Sequence, residues 1–150
     1  MSSDTEAEPV MLKVKLFYTI ELTLQERLMV PNGPAGTRMI VAVTGKVYGP
    51  ALNGEVVAPT SEWATIGSNG VLAGIDLRAV IRTDDGELIY QHVIGRTAQD
   101  LPDNPSNFII RSGVTFEASP GKYQYLNNKF VFGHGTMTGD KIKVEYYDTS

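Results

Sequence analysis

Four side chains able to move protons or grip an anion fall within one short stretch: Asp76, Arg78, Tyr90 and His92. A carboxylate can serve as a base, and a guanidinium orients a carboxylate, phenolate or carbonyl through its two-pronged donor geometry. An imidazole ordinarily titrates at about 6.5, close to working pH, which suits it to general acid–base catalysis. Asp76, Arg78 and His92 are therefore the catalytic candidates. What they can do depends on whether they share a face.

The stretch Gly70 to Arg96 reads as one long β-hairpin. Ile75, Leu77, Ala79 and Ile81 alternate with Asp76, Arg78, Val80 and Arg82, the two-residue period of a pleated strand. Asp84-Asp85-Gly86 turns the chain, with glycine at the third place, where a left-handed backbone carries no steric penalty. A three-residue loop sets Thr83 opposite Glu87, and hence Val80 opposite Tyr90 and Arg78 opposite His92. All four polar side chains then lie on one face. A two-residue Asp-Gly loop would slip the register by one and scatter them over both faces. The plain alternative for the same four residues is a solvated outer face, with the aliphatic side supplying the core.

The whole chain sets the frame. With 150 residues, 42% of them hydrophobic, it is ordinary globular material for one domain. It contains no cysteine, which removes disulfides, thiolate nucleophiles and thiolate-bound metals. A net charge of −4 argues against a nucleic-acid or anionic-membrane partner. No run approaches the ~18 apolar residues of a membrane helix. The polar, acidic start MSSDTEAEP has neither the basic and apolar parts of a signal peptide nor the arginines of a transit peptide. The expectation is a disordered acidic tail over residues 1–10, a β-barrel domain over 11–150 and a cytoplasmic protein.

In order, Val10 to Leu24 alternates Val14, Leu16, Tyr18, Ile20, Leu22 and Leu24 against Lys13, Lys15, Thr19, Glu21 and Thr23. Pro31 to Gly36 reads as a loop, Arg38 to Tyr48 as a second strand, and Leu52 to Ala58 and Glu62 to Ile66 as two short ones. After the hairpin, Thr97 to Ser106 has two prolines, two aspartates and no apolar pattern, so it is the longest expected loop. Phe108 to Glu117 is a strand, KYQYLNN has room for a single helical turn, and Lys129–Met137 and Lys141–Tyr147 form the closing hairpin. No segment holds a helical period over ten residues. The fold class is all-β: a single antiparallel barrel of roughly nine or ten strands with at most one short helical turn, since closure leaves no unpaired edge.

The motifs PAGTRMIVAVTGKVYGPALNGEVV, EW, GIDLRAVIRTDDGELIY and YQYLNNKFVFGHG, in this order, resemble the domain-of-unknown-function 3237 family. The matching positions are Gly36 and Arg38, then Gly49, Pro50, Leu52 and Gly54, then Trp63. Asp76 and Arg78 follow, with Thr83 to Gly86 and with Tyr123, Leu126 and Asn127. The resemblance spans about Leu16 to Tyr147. It implies a compact antiparallel barrel of lipocalin-like appearance that commonly self-associates, possible here as a homodimer. Glu62 departs from the aspartate that often precedes the tryptophan. A motif holding Asp76 and Arg78 at alternate positions suits a polar group that faces a cavity.

A small barrel either fills its interior or holds one small ligand. The residues expected to bind substrate are Tyr18, Arg38, Trp63, Tyr90, Phe108, Arg111, Tyr125, Phe132 and His134. The aromatic ones favour a flat, largely apolar ligand. The glycines around His134 mark a bulge or a close backbone approach rather than a phosphate loop. Two histidines on distant strands and no cysteine argue against a dedicated zinc site and leave open only a two-histidine-plus-carboxylate arrangement; no metal or cofactor is expected. The function expected is a cofactor-free enzyme acting inside the barrel on a hydrophobic, aromatic or polyketide-like metabolite, as an isomerase, cyclase or lyase. The rivals are a carrier for the same kind of molecule and a purely structural domain.

Overall fold

The computed structural model describes the backbone of residues 6–101 and 104–149, and the side chains of these except 99–101 and 104–106. Eight antiparallel strands form a closed barrel in sequence order. They are β1 (Val14–Gly33), β2 (Gly36–Tyr48), β3 (Gly54–Ile66), β4 (Leu72–Thr83), β5 (Leu88–Leu101), β6 (Asn104–Ala118), β7 (Val131–Thr138) and β8 (Lys141–Thr149). β8 returns to pair with β1, so no edge is left open. One 3₁₀ turn, Gln124–Asn128, lies between β6 and β7, where the single helical turn was expected. Among the described residues no helix is long and apolar enough to cross a membrane.

Eight strands stand where nine or ten were expected, because two short ones merge into β3. The break foreseen at Pro59 is an irregularity between Val57 and Ser61 in the pairing with β4. A proline donates no ladder hydrogen bond and is tolerated at such a place. The Thr60 side chain repairs the ladder: its hydroxyl donates to Val57 O (2.6 Å) and accepts from Val80 N (2.9 Å). β1 also runs further than expected, through the first residues of the presumed Pro31–Gly36 loop.

Of the long loop expected over Thr97–Ser106, residues 97–101 and 104–106 belong instead to β5 and β6, and 102–103 lie outside the described residues. Thr97 pairs with Ile110, Ala98 with Ile109, Gln99 with Phe108 and Leu101 with Asn104. Continuing the ladder gives these backbone groups partners although the side chains carry no apolar alternation. Of the expected acidic tail over residues 1–10, residues 1–5 lie outside the described residues and 6–10 precede the first strand, as do 11–13.

The β4–β5 register is the one a three-residue turn dictates. Arg82 pairs with Leu88, Val80 with Tyr90, Arg78 with His92 and Asp76 with Ile94. Thr83 N donates to Glu87 O (2.8 Å), Gly86 N donates to Thr83 O (2.9 Å), and Gly86 takes φ +92°. Inside the barrel, Ile20, Leu22, Leu24, Val41, Leu77, Ala79, Ile81, Ile89, Val93, Val114 and Val144 pack into one buried core. Val14 and Leu16 share the apolar period of β1 but are exposed, because a bulge between Leu16 and Tyr18 separates them from the inward run.

Candidate functional site

Burial alternates along β4 with Leu77, Ala79, Ile81 and Thr83 inward, so Asp76 and Arg78 stand on the outer wall. They therefore do not face the lumen, where the expected cavity would lie. The aliphatic face of this strand is the one that gains by leaving water. Arg38, Trp63, Tyr90, His92, Arg111, Phe132 and His134 also point outward, by the alternation of their strands. Of the residues expected to line the lumen, only Tyr18 and Phe108 face it, and Tyr125 lies exposed on the 3₁₀ turn. The glycines beside His134 do mark a close approach: a Cβ on Gly133 would meet both Ser112 Oγ and the Tyr146 ring at 2.5 Å.

The lumen is nearly filled by side chains. Its open space is about 30 Å³, bounded by residues that include Leu24, Met39, Glu62, Leu77, Met137 and Tyr146. That is about the share of one water molecule, against the ~300–1,000 Å³ of a small-molecule pocket. Side-chain packing thus leaves little open space where the ligand was expected, inside the barrel.

On the outer wall the register assembles four of the expected residues. His92 Nε2 lies 2.8 Å from Asp76 Oδ1, across the strand pair. The Arg78 guanidinium approaches the same oxygen with Nε at 3.7 Å, an ion pair between exposed side chains that is worth little by itself. The Tyr90 ring lies nearly parallel to the imidazole, 6.4 Å between centres and 17° between planes. With Nε2 committed to the carboxylate, Nδ1 makes no hydrogen bond among the described residues. A carboxylate that fixes one ring nitrogen leaves the other to give or take a proton, the logic of an oriented base.

Asp76 also lines a groove of about 450 Å³ with Arg38, Trp63, Thr65, Gly74, Ile94 and Arg96. Trp63 Nε1 donates to Ser61 Oγ (2.9 Å), which fixes the indole, and the ring is 43% exposed. Arg38 Nη1 donates to Trp63 O (3.2 Å). Arg96 Nη1 donates to Gly95 O (3.0 Å) and would stand 3.6 Å from a Cβ on Gly74, so the absent side chain leaves the groove floor open. Arg96 and Thr65 went unnoticed in the sequence, and Ile94 was placed on the face of His92 without a role at the site. Part of the signal was there, since Arg96 and Ile94 share the parity of His92, but a groove shared with Arg38 depends on pairing across three strands.

Behind the groove lies a residue that sequence reasoning read only as a family departure. Glu62 is on the inner face of β3 and nearly fully buried. No residues are paired between Glu62–Leu77 and Thr65–Gly74, and there the Glu62 carboxylate accepts the Asp76 N–H at 2.6 Å. Burial pushes the Glu62 carboxyl up to about 7, against the opposing pull of that N–H. Deeper in the lumen Tyr18 stacks on Tyr146, 4.7 Å between ring centres. Burial raises both phenols well above their usual range. Gln91 lies near the Tyr18 hydroxyl, yet neither that hydroxyl, nor either Gln91 amide atom, nor Ser112 Oγ makes a hydrogen bond of normal geometry.

Comparison with known proteins matches the fold. A protein of unknown function from Clostridium acetobutylicum is 20% identical, with a TM-score of 0.81 over 95% of this chain and 100% of that one. A beta-barrel-like protein from Acinetobacter baumannii is 23% identical, with a TM-score of 0.83 over 97% and 100%. A structure described as an enzyme, from Penicillium herquei, is 20% identical, with a TM-score of 0.65 over 97% and 99%. No curated protein matches. The family profile described as "Protein of unknown function (DUF3237)" matches residues 12–149, nearly the whole chain, and with the barrel and the motif order in agreement the protein belongs to the DUF3237 family.

Proposed function

We infer that the protein is a small-molecule enzyme that works by acid–base chemistry on a hydrophobic, aromatic or polyketide-like metabolite, seated in the outer groove beside Asp76 and His92. The observation that carries this reading is the 2.8 Å Asp76–His92 pair at the edge of a groove walled by Trp63. An imidazole oriented by a carboxylate and stacked on Tyr90 can take a proton from carbon next to a carbonyl and return it elsewhere. Isomerisation, cyclisation by enolisation and elimination all begin with that transfer. The barrel supplies the rigidity, since both residues stand on paired strands rather than on a loop. The Penicillium herquei relative, described as an enzyme, favours catalysis over simple carriage. The same reading takes the barrel as self-associating, which the exposed Phe130 and Phe132 support.

The experiment is proton exchange. A panel of enolisable aromatic ketones is incubated with the protein in deuterated buffer, and deuterium uptake next to the carbonyl is followed by mass spectrometry. Wild type should exchange at least one member faster than buffer. His92→Gln and Asp76→Asn should each lower that rate by about 10²–10⁴, the usual worth of a positioned acid–base group. Binding without exchange across the panel would make the protein a carrier and end the catalytic reading.

A further inference from the structure

One row of Cα partners crosses the outer wall through six strands beyond β2. Arg38 pairs with Thr65, Thr65 with Gly74, Gly74 with Arg96, Arg96 with Arg111, Arg111 with His134, and His134 with Glu145. Three guanidiniums and an imidazole are thus drawn into one belt on a chain whose net charge is −4. Among the described residues none of the three arginines makes an ion pair. Arg38 and Arg96 donate only to backbone carbonyls. The acid at the end of the row, Glu145, accepts from the Tyr147 hydroxyl (3.0 Å), and Asp76 is engaged by His92. Like charges directly opposite each other, as Arg96 and Arg111 are, destabilise a strand pair. Such a belt is favourable once an anion lies against it.

The placement of the groove says which anion. Thr65 and Gly74 sit in the row between Arg38 and Arg96, and their small side chains leave the floor between the two guanidiniums open. Trp63 and Ile94, both exposed, stand one row along at the level of Asp76. A ligand filling this groove meets flat apolar surface at one end and two forked donors at the other.

The geometry points to an aromatic carboxylate as the ligand class of this groove, its carboxylate held by Arg96 and Arg38 and its ring laid against Trp63 and Ile94. This rests on the groove being the substrate site and deepens that reading. A guanidinium meets a carboxylate through two parallel hydrogen bonds, and also stacks on aromatic faces, so both halves of the ligand are recognised. With the carboxylate anchored in the arginine row, the far side of the ring system lies towards Asp76 and His92, where a proton would be moved.

Calorimetric titration of the full chain with 2-naphthoate, and with the neutral 2-naphthalenemethanol for comparison, tests the assignment. The naphthoate should bind at least tenfold more tightly than the alcohol, and its affinity should fall as salt is raised. Arg96→Gln and Arg38→Gln, each checked for an unchanged melting temperature, should each weaken naphthoate by tenfold or more and leave the alcohol as it was. Arg82→Gln, on the outer wall away from the row, should change neither. Equal affinity for acid and alcohol, or naphthoate binding untouched by both row variants, overturns the proposal. His92→Gln separates the two readings, because it should abolish exchange yet spare naphthoate binding. Naphthoate binding without any exchange would leave this assignment standing and the catalytic one fallen. Exchange without naphthoate selectivity would do the reverse.

Discussion

At the scale of single residues, the barrel keeps its most consequential acid where water does not reach. Glu62 has a folded-state pKa of about 7, against an ordinary 4.5. The folded chain therefore holds this proton more tightly than the unfolded one. The stability it contributes is complete below about pH 4.5 and is lost as pH rises through 7. Summed over that shift, the loss is about 3 kcal/mol. Glu62→Gln, which retains an acceptor for the Asp76 N–H, should be more stable than wild type at pH 8 by an amount of that order. The two should converge near pH 4, as denaturant unfolding at both pH values will measure. A wild-type stability that is flat between pH 5 and 8 would contradict the burial argument. Gln91 offers a second test. Its amide is fully buried with neither atom hydrogen-bonded, so Gln91→Met, of similar volume, should raise stability by about 1–3 kcal/mol. A loss on substitution would mean that the amide is satisfied in solution.

At the scale of elements, two devices hold the wall in register. The β4–β5 turn is braced by the Thr83 hydroxyl, which accepts from Glu87 N (2.9 Å) and donates to Asp85 Oδ1 (2.5 Å). Asp85 also accepts from Lys122 and Tyr123, and these bonds, with Lys122 first, hold its carboxyl far below the usual range. The turn that sets Arg78 against His92 is thereby tied to the segment that follows β6. On β3 the device is Thr60, whose hydroxyl stands in for the ladder beside Pro59. Thr60→Val keeps the shape but strands Val80 N–H and Val57 C=O. It should cost about 1–3 kcal/mol, the price of an unmet buried hydrogen bond. Thr60→Ser should recover most of that. If valine were as stable as serine in urea unfolding, the hydroxyl would have no part in holding the strand together.

At the scale of the molecule, a lumen nearly filled by side chains makes the barrel a solid scaffold for its outer wall. Ile81 is fully buried among the inward side chains of β4 and β5. Ile81→Ala should lower stability by about 2–5 kcal/mol, since the packed interior can close only part of the cavity it opens. The groove on the opposite side of the wall should keep its ligand affinity. A loss below about 1 kcal/mol would point to a lumen looser than the 30 Å³ of open space allows.

Much of this was legible in the sequence, for reasons that are local. The two-residue period of β4 and β8, the Asp84-Asp85-Gly86 turn and the absence of any helical period decide strand, register and class. Pairing Arg78 with His92 needs only the turn length. The motif order from Gly36 to Asn127 pointed to the family. What the sequence could not decide was the side of the wall. Alternation says that Asp76 and Leu77 face opposite ways, not which way is in, and both faces of β4 contain apolar residues. Only closure of eight strands, which brings the aliphatic sides of all of them together, turned Asp76, Trp63 and Arg38 outward and Glu62 inward. The groove is likewise a tertiary product. Arg38 and Arg96 are 58 residues apart in the chain and come to line one groove through three successive strand pairings, each with its own register.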